Sequence, residues 1–237
     1  MAPLQQALRD LSDPAIAAHS ARFFKSGPGE YGEGDRFRGI RVPALRRLAH
    51  AHRDLPLANC LELLRSPWHE DRLLALLLWG GRYARGNDGL RGEIYACYLD
   101  NTRYINNWDL VDSSAEHIVG THLLARDREA LDRLAASGNL WERRIAVMAT
   151  FRFIKAGEFA PTLVLAERLL GDGEDLIHKA VGWMLREIGK RDPTAEEAFL
   201  IRHQRRMPRT MLRYAIERLP DARRREYLAG VAEPAAA

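Results

Sequence analysis

Trp108 and Asp112 stand four residues apart in Tyr104-Ile-Asn-Asn-Trp-Asp-Leu-Val-Asp112. A helix places such a pair on one face, one turn from each other. Val111, Ala115, Ile118 and Val119 form the apolar stripe of that helix, and Trp108 and Asp112 lie along one margin of it. A carboxylate beside an indole at the edge of a core is poised over a groove, which makes Asp112 the candidate acid of the stretch. The same residues also read as a first-turn acid favoured by the helix dipole, next to a packing Trp. Asn106 is expected to cap the helix. Asp109, three residues on, is expected to reach back as in a capping box, a structural task that sets it aside as a catalyst.

A second group combines cations with an aromatic ring. In the helix near 174–190, Ile177, Ala180, Val181, Met184 and Ile188 make the apolar stripe. Lys179, Trp183, Arg186 and Lys190 share a neighbouring face. Trp183 there either packs on a neighbouring element or touches a ligand. Arg144, Met148 and Lys155 fall on one side of the helix near 140–156, and Arg209 aligns with Arg213 near 208–218, with Arg206 before them. If successive inner helices line one concave surface, these positives form a track that fits a nucleic-acid backbone. The alternative for any one helix is a solvated charged face.

The elements that must position these residues read as helices almost throughout. Helices are expected near 12–25, 43–52, 56–65, 69–84, 88–100, 107–121, 127–136, 140–156, 160–170, 174–190, 194–205, 208–218 and 221–229, with no alternating strand. His69-Glu-Asp-Arg-Leu-Leu-Ala75, Trp141-Glu-Arg-Arg-Ile-Ala146, Ile177-His-Lys-Ala-Val181 and Met211-Leu-Arg-Tyr-Ala215 each open an inner helix in a similar way. Arg144, Lys179 and Arg213 recur at nearly constant spacing. A period of roughly 35–40 residues is that of a HEAT-like repeat. The fold class is therefore all-α, a HEAT-like helical-repeat solenoid with a concave basic groove. One repeat domain is expected over 1–230, with a frayed tail over 231–237. Ser26–Gly39, rich in glycine, breaks the pattern; Tyr31 and Phe37 within it favour an ordered loop over a linker.

Composition narrows the classes further. Hydrophobic content of 46% and charged content of 29% are ordinary for a soluble protein, and the net charge of +4 is modest. Cys60 and Cys97 show no metal or redox spacing, which points to a reduced cytoplasm. The N-terminus lacks the order of a signal peptide, and no apolar run reaches the roughly 18 residues of a membrane span. The eight histidines show no ligand spacing, and there is no Walker loop, dinucleotide fingerprint or Gly-x-Ser-x-Gly elbow. No cofactor or metal is expected.

Gly39-Ile-Arg-Val-Pro43, Trp108-Asp-Leu-Val-Asp112, Leu140-Trp-Glu-Arg-Arg144 and Lys179-Ala-Val-Gly-Trp-Met-Leu-Arg-Glu187 together resemble the AlkD-like DNA glycosylases, HEAT-like repeat proteins of DNA alkylation repair. The resemblance spans about Ala21 to Leu219. It implies excision of N3- and N7-alkylated purines from duplex DNA without flipping the base into a pocket, by a monomer. It assigns catalysis to Asp112, Trp108 and Trp183, and a phosphate clamp to Arg144. Lys179, Arg186, Lys190, Arg209, Arg213 and Arg41 are expected to be the further DNA contacts. Arg41 stands where the family's well-studied members have Gln and Phe23 where they have Tyr, and the stretch 27–38 is longer; these changes fall on the lesion-side wall. Two other functions fit the scaffold: a non-catalytic binder of DNA structures, and a HEAT-type scaffold whose groove takes a peptide.

Overall fold

Short apolar stripes, broken at proline, glycine and aspartate, give a chain of helices in the computed structural model, which describes residues 1–233. In order they are α1 (Ala2–Asp10), α2 (Pro14–Phe23), α3 (Val42–Ala51), α4 (Leu57–Leu64), α5 (His69–Arg85), α6 (Asp88–Asp100), α7 (Trp108–Asp112) and α8 (Thr121–Leu123). There follow α9 (Glu129–Ala135), α10 (Leu140–Ala149), α11 (Phe151–Lys155), α12 (Ala160–Arg168), α13 (Asp175–Gly189), α14 (Pro193–His203), α15 (Arg209–Ala215) and α16 (Asp221–Ala229). Among the described residues the only β-type pairing is an isolated bridge between Arg36 and Trp68. The fold is all-α and of the helical-repeat type.

Helix starts follow local chemistry. Asp13, Asn87, Asn139 and Asp192 accept from amides of the first turns of α2, α6, α10 and α14. Proline opens α1, α2, α3, α12 and α14, where its missing N–H costs nothing.

The chain divides into two compact units, Met1–Ile118 and Val119–Ala237. In the first, α5 is the central helix, packed by α3, α4, α6 and α7. Leu45, Leu63, Leu64, Leu74, Trp79, Ile94 and Tyr98 close its core. In the second, α13 is central: it packs on α10 and α15 as neighbouring inner helices and on α12 and α14 as outer ones. This is the paired arrangement that the spacing of Arg144, Lys179 and Arg213 predicts. Gly182 permits the closest crossing, since a Cβ there would lie 2.4 Å from the Met211 carbonyl oxygen and 2.6 Å from Tyr214 Cβ.

Two expected helices are shorter than predicted. The one over 107–121 ends at Asp112; the chain then turns, makes a π turn over Glu116–Gly120 and runs into α8. The hydroxyls of Ser113 and Ser114 donate to the Leu110 carbonyl oxygen, at 3.3 and 2.6 Å, and compete with the helical ladder. Likewise 140–156 is interrupted at Thr150, whose hydroxyl donates to the Val147 carbonyl oxygen at 2.7 Å. Helix α1 is absent from the sequence-based expectation, although its buried Leu4 and Leu8 are spaced i, i+4. Of the tail, the carbonyl oxygens of Ala232 and Glu233 accept from Gln204 and Arg223; residues 234–237 lie outside the described residues.

Ser26–Gly39 is the ordered loop that its aromatics favour. Phe37 is buried. Gly39 adopts φ +80° and lies so close to α2 that a Cβ would stand 2.0 Å from the Asp13 carbonyl oxygen. Glu70 at the start of α5 accepts the backbone N–H groups of Arg38, Gly39 and Ile40 at 2.8, 2.8 and 3.2 Å. Asp71 beside it pairs with the Arg38 guanidinium at 2.7 Å.

Candidate functional site

The start of α7 differs from the expectation by one residue. Asn107, not Asn106, is the cap, its Oδ1 accepting from Trp108 N at 2.9 Å. Asn107 is fully buried and its Nδ2 donates to Asp35 at 3.3 Å, which fixes it in the capping position. Asp109 does not reach back to close a capping box. Its Oδ1 accepts from Leu110 N at 2.9 Å, and its Oδ2 meets His69 Nε2 at 2.8 Å.

His69 thus lies between two carboxylates, because its Nδ1 meets Asp35 Oδ2 at 3.0 Å. Arg72 pairs with the other Asp35 oxygen. Four charged side chains, Arg72, Asp35, His69 and Asp109, run in series from the N-terminus of α5 to α7. Burial opposes charge on the imidazole, but the hydrogen bonds and charges of Asp109 and Asp35 outweigh it and push the His69 pKa up to about 9. Burial would also raise the Asp35 pKa, yet His69 and Arg72 hold it below the usual carboxylate range. The imidazolium sits 4.8 Å from both the Phe24 and Phe37 rings, a cation on aromatic faces.

Trp108 is half-buried, stacked on Phe24 at 5.2 Å and edge-on to Phe23 at 5.8 Å. Asp112, also half-buried, ends α7 one turn beyond it. The expected stripe of Val111, Ala115, Ile118 and Val119 is fully buried. Phe23 and Phe24 also wall a cavity of about 450 Å³, together with Phe37, Ile40 and Leu73, with Asp109 and Arg41 among its polar groups. Arg41 is exposed at the head of α3.

The remaining predicted residues belong to the second unit. Trp183 is half-buried on α13, its Nε1 donating to Glu187 Oε1 at 3.3 Å and its ring 6.2 Å from Phe151. Arg144 is 5% exposed and donates to the Leu176 carbonyl oxygen. Lys179 pairs with Asp175 at 2.7 Å, Lys190 with Glu187, and Arg186 with Glu217. Glu187 also holds Arg191 at 3.3 Å, and these cations keep its pKa low against the opposing effect of burial. Arg209 donates to the Leu228 carbonyl oxygen at 2.6 Å, and Arg213 is exposed on α15. The row of positives on α13 is therefore interleaved with carboxylates that consideration of the cations alone passes over.

Sequence reasoning missed His69, Asp35, Phe24 and Phe37, and set Asp109 aside. The available signals were the Phe23-Phe24 pair and the polar opening His69-Glu-Asp-Arg72 of α5. All four residues of that opening are buried, which is uncommon unless each has a partner. Among the described residues no helix is long and apolar enough to cross a membrane.

A family model described as DNA alkylation repair enzyme matches residues 4–219. Among solved structures the chain is similar to a protein titled "Predicted DNA alkylation repair enzyme from Enterococcus faecalis". The TM-score is 0.70 at 19% identity, over 89% of this chain and 97% of that one, a likeness of fold. No match was found among curated proteins.

Proposed function

Because the chain belongs to the DNA alkylation repair enzyme family, we propose that it is a monofunctional DNA glycosylase. In this reading it hydrolyses the N-glycosidic bond of N3- or N7-alkylated, cationic purines in duplex DNA. The observation that carries the reading is the half-buried Trp108–Asp112 pair, one turn apart on α7. An alkylpurinium is a good leaving group: when its C1′–N bond breaks, the electron pair returns to the ring and cancels the positive charge. Water then adds at C1′ and loses a proton. The protein has to stabilise the oxocarbenium-like sugar and align that water, which are tasks for a carboxylate. Asp112 has this role, with the indole of Trp108 as a π face for the electron-poor sugar.

Phosphate contacts fall to Lys179, Arg186, Lys190, Arg209, Arg213 and Arg41. The Lys179–Asp175 pair is an exposed i, i+4 contact, worth about 0.3–0.5 kcal/mol, so exchanging the carboxylate for a phosphate costs little. Arg144, buried and already donating to Leu176, acts as a clamp for a phosphate that approaches closely. The proposed enzyme acts as a cytoplasmic monomer without cofactor. The leaving group's own charge makes a base-binding pocket unnecessary for bond cleavage.

The test is incubation with duplex DNA bearing N7-methylguanine and detection of free base. Asp112→Asn keeps the shape and removes the charge; it should lower base release by about two or more orders of magnitude with much smaller loss of DNA binding. Equal rates in the two proteins would end the assignment. Tight DNA binding with no release by the wild type would favour a non-catalytic binder.

A further inference from the structure

We propose that the groove between α3 and α5 holds a site for a compact phosphate-type anion. A cavity of about 240 Å³ opens there, lined by Arg46 and His50 of α3, by Arg53 just after it, and by Leu77, Gly81 and Arg85 of α5. It shares no lining residue with the cavity beside Phe23 and includes neither Trp108 nor Asp112. The volume is below the roughly 300–1,000 Å³ of drug-sized sites, so the occupant is small. Three guanidinium groups and an imidazole make the polar wall, and among the described residues no carboxylate shares it. That sets the groove apart from α10 and α13, where Arg143 faces Asp172, Lys179 faces Asp175 and Lys190 faces Glu187.

Arg46, His50 and Arg53 recur at i, i+4 and i+7, which sets them in a row. Like charges at that spacing repel, and an anion between them removes the repulsion. Among the described residues neither Arg46 nor His50 has an ion-pair partner. Arg53 meets Asp54 at 3.6 Å, but both side chains are more than half exposed, so a phosphate displaces that contact easily. Arg85 closes the site from the opposite helix. Its Nη2 donates to the Arg53 carbonyl oxygen at 3.1 Å, and its Nη1 lies over Gly81, where a Cβ would stand 3.5 Å away. Arg82 ties the same turn by donating to the Asp54 and Leu55 carbonyl oxygens. The Arg85 guanidinium is therefore set by the backbone before any ligand arrives, which reduces the entropy lost on binding. Anchoring that turn accounts for Arg82 and Arg85 by itself. It leaves unexplained why Arg46 and His50, which donate to none of those carbonyls, face the same cavity.

Guanidinium forks match the paired oxygens of a phosphate, and the imidazole adds an N–H donor in either protonation state. The phosphate is either a free anion or one group of a polynucleotide backbone, and two arms separate these sources. In the first, inorganic phosphate and pyrophosphate are titrated into the full-length protein at fixed ionic strength, with calorimetric detection. One saturable site is expected, tighter for pyrophosphate, with affinity lowered about tenfold or more by Arg46→Gln combined with Arg53→Gln. Arg133→Gln combined with Arg225→Gln removes the same charge from exposed positions on α9 and α16 and should leave the affinity unchanged. In the second, the salt slope of binding to an undamaged duplex is compared between wild type and the Arg46 and Arg53 double variant. A slope lowered by about one unit per lost contact assigns the phosphate to a backbone. Pyrophosphate binding with an unchanged slope assigns the free anion.

No saturable binding in the first arm together with an unchanged slope in the second, for a protein folded by circular dichroism, overturns the proposal. So does anion binding that the Arg46 and Arg53 double variant leaves intact, because the anion then sits elsewhere. Equal weakening by the Arg133 and Arg225 pair also overturns it, since the effect would then belong to overall charge. Neither arm scores base release, so the glycosylase reading stands or falls separately.

Discussion

The ion chain through His69 makes a quantitative prediction about stability and pH. The folded pKa of His69, pushed from 6.5 to about 9, means that the native state holds a proton that the unfolded chain releases near 6.5. Its stabilising contribution is complete below about pH 6.5 and declines as pH rises through about 9. At about 1.4 kcal/mol per pH unit, the difference amounts to ~3 kcal/mol for this nearly inaccessible side chain. His69→Gln removes the charge and leaves Asp109 and Asp35 sharing an amide. At pH 6 the variant should be less stable than the wild type by about 3–5 kcal/mol, as when one partner of a buried pair is removed. The gap should narrow steadily to pH 9.5. Denaturant titrations of both proteins at several pH values give the difference, in which other titrating groups cancel. The Cε1–H resonance of His69 gives the midpoint directly. Parallel stability curves, or a midpoint at or below 6.5, would refute the reasoning.

Other expectations can be checked more briefly. Gly182→Ala should destabilise the Val119–Ala237 unit by about 1–3 kcal/mol, because the new methyl meets the Met211 carbonyl rather than a movable side chain; an unchanged melting temperature would contradict it. Burial beside Glu197 raises the Glu196 pKa to about 8 despite Arg186, so its stabilising contribution falls as pH rises from about 4.5 through 8. Glu196→Gln should flatten that decline, seen in thermal melts across the range. Lys179→Ala with Arg213→Ala should lower the salt slope of DNA binding by about one unit per lost phosphate contact; an unchanged slope would mean a solvated face. Borohydride should trap no covalent adduct on abasic duplex, since Lys179 is engaged by Asp175 at 2.7 Å rather than placed as a nucleophile.

Much of the fold was legible because its signals are local. The burial of Val111, Ala115, Ile118 and Val119 was legible from their apolar character, although the helix expected to align them ends at Asp112, and α6 and α16 match their expected bounds, with Asn87 capping the first and Gly230 closing the second. The Lys179–Asp175 and Lys190–Glu187 pairs were equally local and could have been counted. The break after Asp112 was harder to read, since a serine hydroxyl competes with the ladder only in certain rotamers. Least legible was the task of Asp109. Its partner lies 40 residues away, and no periodicity links a histidine opening α5 with an acid opening α7. For the candidate site, Trp108 and Asp112 could be placed on one face, but the aromatic cluster supporting Trp108 depends on the path of the loop.

Helix α7 is five residues long, too short to hold a direction by its own hydrogen bonds. Its bearing is borrowed from outside: from Asn107 anchored on Asp35, from Asp109 anchored on His69, and from the indole lying on Phe24. The aim of Asp112 is therefore adjustable from a distance. A lineage of such proteins can re-point the acid by altering position 24, 35 or 69 while Trp108 and Asp112 themselves stay untouched. In the glycosylase reading proposed above, changes to which lesions are accepted should accordingly accumulate in the loop and at the head of α5, where a motif search would not look for them.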